Sequence, residues 1–105
     1  MKPALERLQD WYLYQCNDDW EHSFGVKIDT LDNPGWIMKV DLAETELFDR
    51  KFARLRTDRS ESDWVQRESD GTYYEAAGGA LNLIEMIEEF LEWAEEMKSA
   101  TDDGA

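Results

Sequence analysis

Cys16 and His22, the only thiol and the only imidazole of the chain, stand six positions apart with Asp18, Asp19 and Glu21 between them. A thiol becomes a nucleophile when a neighbouring imidazole takes its proton. Here that would require the end of a helix and the start of a strand to bring the two side chains together. Cys16 falls in a helical pattern, without the anion-cradling loop that stabilises a persulfide. Asp18, Asp19, Glu21 and His22 offer oxygens and a nitrogen for a metal ion. The run lacks the alternate-residue spacing and glycine of a calcium loop and the His-x-x-x-His of a zinc helix. No Gly-x-Gly-x-x-Gly, Walker loop or Gly-x-Ser-x-Gly occurs. Gly78-Gly79 precedes a helical pattern and could hold an anion at its N-terminus, but the six glutamates that follow oppose one. The expected reading is a non-enzyme with no cofactor and no metal. A small metal-dependent or thiol enzyme built on Cys16, His22 and these carboxylates is the alternative.

What the chain does hold is negative charge. Its 105 residues carry 25 acids against 11 bases, a formal net charge of −14. This balance argues against direct binding to nucleic acid or an anionic membrane, both of which need a Lys/Arg footprint. The surplus is concentrated: residues 81–105 contain 8 acids and 1 base, so a quarter of the chain carries half of the net charge. Glu88, Glu92, Glu95 and Glu96 recur at spacings of three, four and seven, on one helical stripe. Like charges so placed weaken a helix by a few tenths of a kcal/mol per pair, so stability alone would intersperse lysines. A solvated, solubilising face and a mating surface for a basic partner both fit this pattern. Five of the bases, Arg50, Lys51, Arg54, Arg56 and Arg59, cluster within ten residues, where they could pair across a sheet or bind an anion.

The elements that must position these groups follow from periodicity. One domain is expected, spanning residues 1–105 with 99–105 as a frayed tail; at this size about 65% of the unfolded chain's surface is buried. Residues 3–16 predict a helix with Leu5, Leu8, Trp11, Tyr12 and Cys16 inward, ended by Asn17, Asp18 and Asp19. Alternation then predicts strands over 22–31 and 36–42, joined by Asn33-Pro34-Gly35, with Trp36, Met38, Val40 and Leu42 on one face. Further strands are predicted over 51–58, 62–68 and 72–76, with Ala77-Gly78-Gly79-Ala80 as a flexible joint. Asn82 and Glu85 have the form of a capping box for a helix over 83–98 whose inward stripe is Leu83, Ile84, Ile87, Phe90, Leu91, Ala94 and Met97. The expected fold is α+β: a five-stranded antiparallel meander with an N-terminal and a C-terminal helix packed on one face. No apolar run is long enough to span a bilayer, and the first thirty residues lack a signal-peptide core, so a cytoplasmic address is expected. The single cysteine fits a reducing compartment.

Most of the five tryptophans fall on core positions, but Trp20 sits between Asp19 and Glu21 in a turn. An aromatic ringed by acids is the composition of an interface anchor with a charged rim, although a loop tryptophan folded over the sheet edge fits as well. Asp18, Asp19, Trp20 and Glu21 form one candidate contact patch, and Glu88, Glu92, Glu95 and Glu96 a second.

Three strings carry a family resemblance: Leu8-Gln9-Asp10-Trp11-Tyr12, Asp19-Trp20-Glu21-His22, and the run from Gly25 to Trp36 containing Thr30-Leu31-Asp32-Asn33-Pro34-Gly35-Trp36. The chain resembles the immunity protein 53 family of bacterial polymorphic toxin systems. The resemblance implies a small cytoplasmic protein that neutralises a cognate toxin by binding it, and it brings no catalytic residues. Joined to the charge, it leads to an expected partner with a basic surface, such as a nuclease toxin. A broad acidic mimic of nucleic acid is the remaining alternative.

Overall fold

A computed structural model describes residues 2–103, with side chains described over 2–99. In chain order it contains α1 (Ala4–Gln15), α2 (Trp20–Ser23), β1 (Val26–Leu31), β2 (Gly35–Asp41), β3 (Lys51–Asp58), β4 (Trp64–Asp70), β5 (Tyr73–Gly79) and α3 (Leu83–Asp103). The five strands form one antiparallel sheet, and α1 and α3 contribute to a single core on one of its faces. The α+β class, the strand count and the flanking helices match the sequence expectation.

The strand order is β1-β2-β5-β4-β3, which departs from a sequential meander. After β2 the chain crosses to the far edge, and the meander β3-β4-β5 returns to lay β5 against β2. The small residues Ala76, Ala77, Gly78 and Gly79 explain the choice. They make β5 a central strand, buried from Ala76 to Gly79, rather than ending it at residue 76 and continuing as a flexible joint. A Cβ on Gly79 would overlap the Ser62 carbonyl oxygen and stand 2.7 Å from Asn82 Oδ1, while one on Gly78 would meet Met86 Sδ at 2.9 Å. The glycines are there for close approach of a loop and a helix, not for a bend. Gly79→Ala is therefore expected to cost about 2 kcal/mol or more, read as a lowered midpoint in urea unfolding at unchanged slope.

Met38, Val40 and Leu42 project into the core as the alternation predicts, and Ile37 faces the open side of the sheet. Helix α1 is rotated from its expected setting. Its buried row is Ala4, Leu8 and Gln15 with Trp11 half-buried, whereas Leu5 and Tyr12 lie on the exposed side. Gln15 sits inward because its amide donates to the Glu46 carboxylate at 3.2 and 3.3 Å. In α3 the inward stripe is Met86, Ile87, Phe90, Leu91, Trp93 and Ala94, and Ile84 is exposed instead. That helix runs on to Asp103, past the expected end at 98; residues 104 and 105 lie outside the described residues.

Aromatic rings tie the layers together. Phe24, Trp20, Trp11, Phe90, Tyr74, Trp93 and Phe52 form an unbroken row with successive centroid separations of 6.2, 6.1, 5.0, 4.9, 5.2 and 5.5 Å. Such pairs contribute roughly 0.5–1.5 kcal/mol each beyond the area they bury.

Candidate acidic docking site

The first acidic patch is built on a small self-capped corner between α1 and α2. Asn17 Oδ1 accepts the backbone N–H groups of Asp19 and Trp20, at 3.0 and 2.8 Å, and so satisfies the first N–H group of α2 from two residues ahead of its N-cap. The Glu21 carboxylate accepts the N–H groups of Asn17 and Asp18, both at 2.9 Å. Its own backbone N–H and these two donors hold its pKa below the ordinary glutamate range. Asp18 takes a left-handed conformation, φ 72°, which Asp tolerates better than most residues. These bonds turn Asp18 and Asp19 outward, and both are exposed.

Trp20 does the opposite of what its acidic neighbours suggest. Only 1% of it is exposed, and its indole N–H donates to the Ala43 carbonyl at 2.9 Å. It packs in T-shaped pairs with Trp11 and Tyr12. The hydrophobic gain of burying an indole exceeds what the flanking acids could obtain by keeping it in water. Trp20 is thus the pillar under the corner, Glu21 its brace, and Asp18 and Asp19 its presented groups. The four-residue helix α2 that creates this arrangement was hidden from periodicity by its brevity; Asn17 ahead of it was the one legible signal.

The second patch lies on the solvent side of α3, where Glu88, Glu92, Glu95 and Glu96 are all exposed. Glu95 reaches Arg7 of α1 at 3.4 Å. Glu89, one turn inward, faces Arg67 of β4 at 3.9 Å. Burial raises its pKa, with Arg67 opposing the shift. An acid whose folded pKa is raised destabilises the fold once pH exceeds its unfolded pKa, and is neutral below that value. Glu89→Gln is accordingly expected to raise the thermal midpoint at pH 7 and to match the parent at pH 3, checked by melting curves at both values. Asp58, Asp63 and Asp70 behave in the reverse sense, since ion pairs or backbone N–H groups hold their pKa values down. Their stabilisation is present at neutral pH and is lost as pH falls through their folded values.

The structure separates the two patches onto different elements of the helix layer. It gives the clustered bases partners of their own. Arg54 meets Glu68 across the sheet at 3.1 Å, and Arg56 holds Asp58 at 2.9 Å while donating to Gln66 at 2.6 Å. Lys51 lies 3.4 Å from Asp49. Arg59 bridges Asp63 and Glu85 at the start of α3, and these raise its pKa. Asn82 joins that cluster by donating to both carboxylates, so the expected capping box becomes an ion-pair network with Arg59 at its centre. The basic segment is thus engaged with nearby acids, across the sheet at Arg54–Glu68 and locally at Arg56–Asp58 and Lys51–Asp49, and most of the negative surplus is displayed on the corner and α3.

Cys16 caps the end of α1, with its thiol donating to the Tyr12 carbonyl at 3.3 Å. Among the described residues no three His, Cys, Asp or Glu side chains gather as metal ligands would. No helix among them is long and apolar enough to cross a membrane.

Neither a curated protein nor a solved structure matches the chain. A family model described as immunity protein 53 matches residues 5–95, which take in the α1–α2 corner, the whole sheet and α3 as far as Glu95, and the chain belongs to that family.

Proposed function

We propose that this chain neutralises a cognate nuclease toxin by binding, with its acidic helix layer occupying the basic cleft that the toxin uses for nucleic acid. The observation that carries this reading is the division of charge. The bases of residues 51–59 are engaged with acids of their own, while Asp18, Asp19, Glu88, Glu92 and Glu96 stand exposed on the helical side. Carboxylates spaced along a rigid surface substitute for phosphates. They also raise association rates from roughly 10⁵–10⁶ to 10⁸–10⁹ M⁻¹s⁻¹ at low salt. The protein acts by occupancy, without catalysis, in the cytoplasm where a nuclease toxin would do its damage.

The test expresses the toxin domain encoded by the neighbouring reading frame with and without this chain. Growth is restored only when both are present, and the purified pair forms a stoichiometric complex whose association slows steeply between 50 and 500 mM salt. Failure of rescue, or neutralisation by far less than one equivalent, would overturn the proposal, because occupancy cannot turn over.

A further inference from the structure

Helix α1 keeps four large apolar side chains out of the core. Leu5 is 60% exposed, Leu13 70%, and Tyr12 and Tyr14 are exposed with them. At 100° per residue, Leu5, Gln9, Tyr12, Leu13 and Cys16 share one flank of the helix. Tyr14 and Arg7 lie on the other flank, lining the groove against α3. A surface shaped only for solubility would carry charge where Leu5 and Leu13 stand.

This flank is held in place at one end and rimmed with acids. The Tyr12 ring packs against buried Trp20 with centroids 6.1 Å apart. Its hydroxyl pKa is raised, first by the Cys16 thiol, which follows it one turn on. Glu6 borders the flank along the helix, Asp10 lies beyond it in the groove against α3, and Asp18 and Asp19 stand exposed past the carboxyl end. No basic residue occupies the last turn of α1, so the negative end of the helix dipole adds to the field of the two aspartates.

We infer that this flank of α1 is the toxin-docking surface: Leu5, Tyr12 and Leu13 form its apolar centre, Glu6, Asp18 and Asp19 its rim, and the occupant is a cationic protein surface with an apolar recess. The inference rests on the reading under Proposed function and deepens it by naming the face. Charge complementarity selects the occupant, because a net charge of −14 repels a second copy, a phosphate polymer and an anionic membrane alike. An interface of standard size needs about 800 Å² per partner, with affinity concentrated in a few central side chains, tyrosine prominent among them. Lys2, paired with Asp10 at 2.8 Å, is no obstacle, since exposed ion pairs contribute about 0–1 kcal/mol.

The experiment titrates the catalytically inactivated toxin of the neighbouring reading frame into the parent chain, Leu13→Asp, the double variant Tyr12→Ala/Leu13→Ser, and Leu81→Ser. The last removes an exposed leucine at the start of α3, away from the proposed face. Near-ultraviolet circular dichroism verifies that each variant is folded. Both α1 variants are expected to lose about 100-fold in affinity through faster dissociation, with Leu81→Ser within threefold of the parent. Parent-like binding by the folded α1 variants, or an equal loss in Leu81→Ser, would overturn the inference while leaving the immunity reading intact. A parent chain that fails to bind this toxin would bring down both.

Discussion

Replacing Asp18 and Asp19 together with lysine is expected to weaken capture of the toxin by about 100- to 1,000-fold with little change in stability. The first part follows from like charges facing one another across a cationic interface, which costs several kcal/mol, each 1.4 kcal/mol being tenfold in affinity. The second follows from the corner's construction. Both side chains are exposed, and the turn is closed by Asn17 and Glu21, which the substitutions leave in place. Lysine suits the left-handed conformation of residue 18 less well than aspartate, at a cost of about 1 kcal/mol. A cation at the carboxyl end of α1 returns roughly 0.3–1 kcal/mol. Glu21 is excluded from the substitution because its carboxylate holds two backbone N–H groups. Calorimetric titration with the toxin and a urea melt read the two halves separately. Asp18→Asn with Asp19→Asn, which keeps the turn preference and removes only charge, should give a smaller loss in the same direction. Unchanged affinity in the folded lysine variant would move the electrostatic contact to α3, where Glu88→Lys with Glu92→Lys and Glu96→Lys repeats the test.

The second large effect is on folding. Trp20→Ala is expected to cost about 3–5 kcal/mol, a substantial part of the 5–15 kcal/mol that holds a domain of this size together. The indole is fully enclosed, touches Trp11, Tyr12 and Phe24, and satisfies the Ala43 carbonyl. A large-to-small change there leaves a cavity between two helices and strands a carbonyl. Urea unfolding gives the loss directly. A folded, parent-like Trp20→Ala would return the residue to its alternative place as an exposed anchor. Toxin binding is expected to fall in this variant as well, through a loosened corner rather than a lost contact, so Trp20 is a positioning residue.

Much of the scaffold was legible because its signals are periodic. The alternation through Phe24 to Leu42 gave the hairpin and the correct inward face, and the register Val26↔Val40 to Leu31↔Gly35 is what a turn at residues 32–34 imposes. Where local rules misled, a non-local contact had decided. Gly78 and Gly79 read as a joint, yet their missing side chains make room for Met86, Asn82 and Ser62 in the centre of the sheet. Leu5 and Tyr12 read as core, yet Ala4 and Gln15 displaced them, since a short side chain and a hydrogen-bonded amide let α1 settle closer. Both acidic stripes were visible, because exposure of carboxylates is the default. Which members of the corner present themselves was not: Asp18 and Asp19 stand exposed, Trp20 is buried and half-buried Glu21 is folded back on the turn, a division that depends on hydrogen bonds among five consecutive residues.

The row of rings from Phe24 to Phe52 also makes the protein its own optical probe. Excitation absorbed anywhere along the row can migrate among Trp20, Trp11 and Trp93 before it is emitted. A toxin side chain arriving beside Tyr12 and the corner would perturb the end of this antenna, and the emission of the whole molecule would report the event. Occupancy could then be followed in real time, without a label.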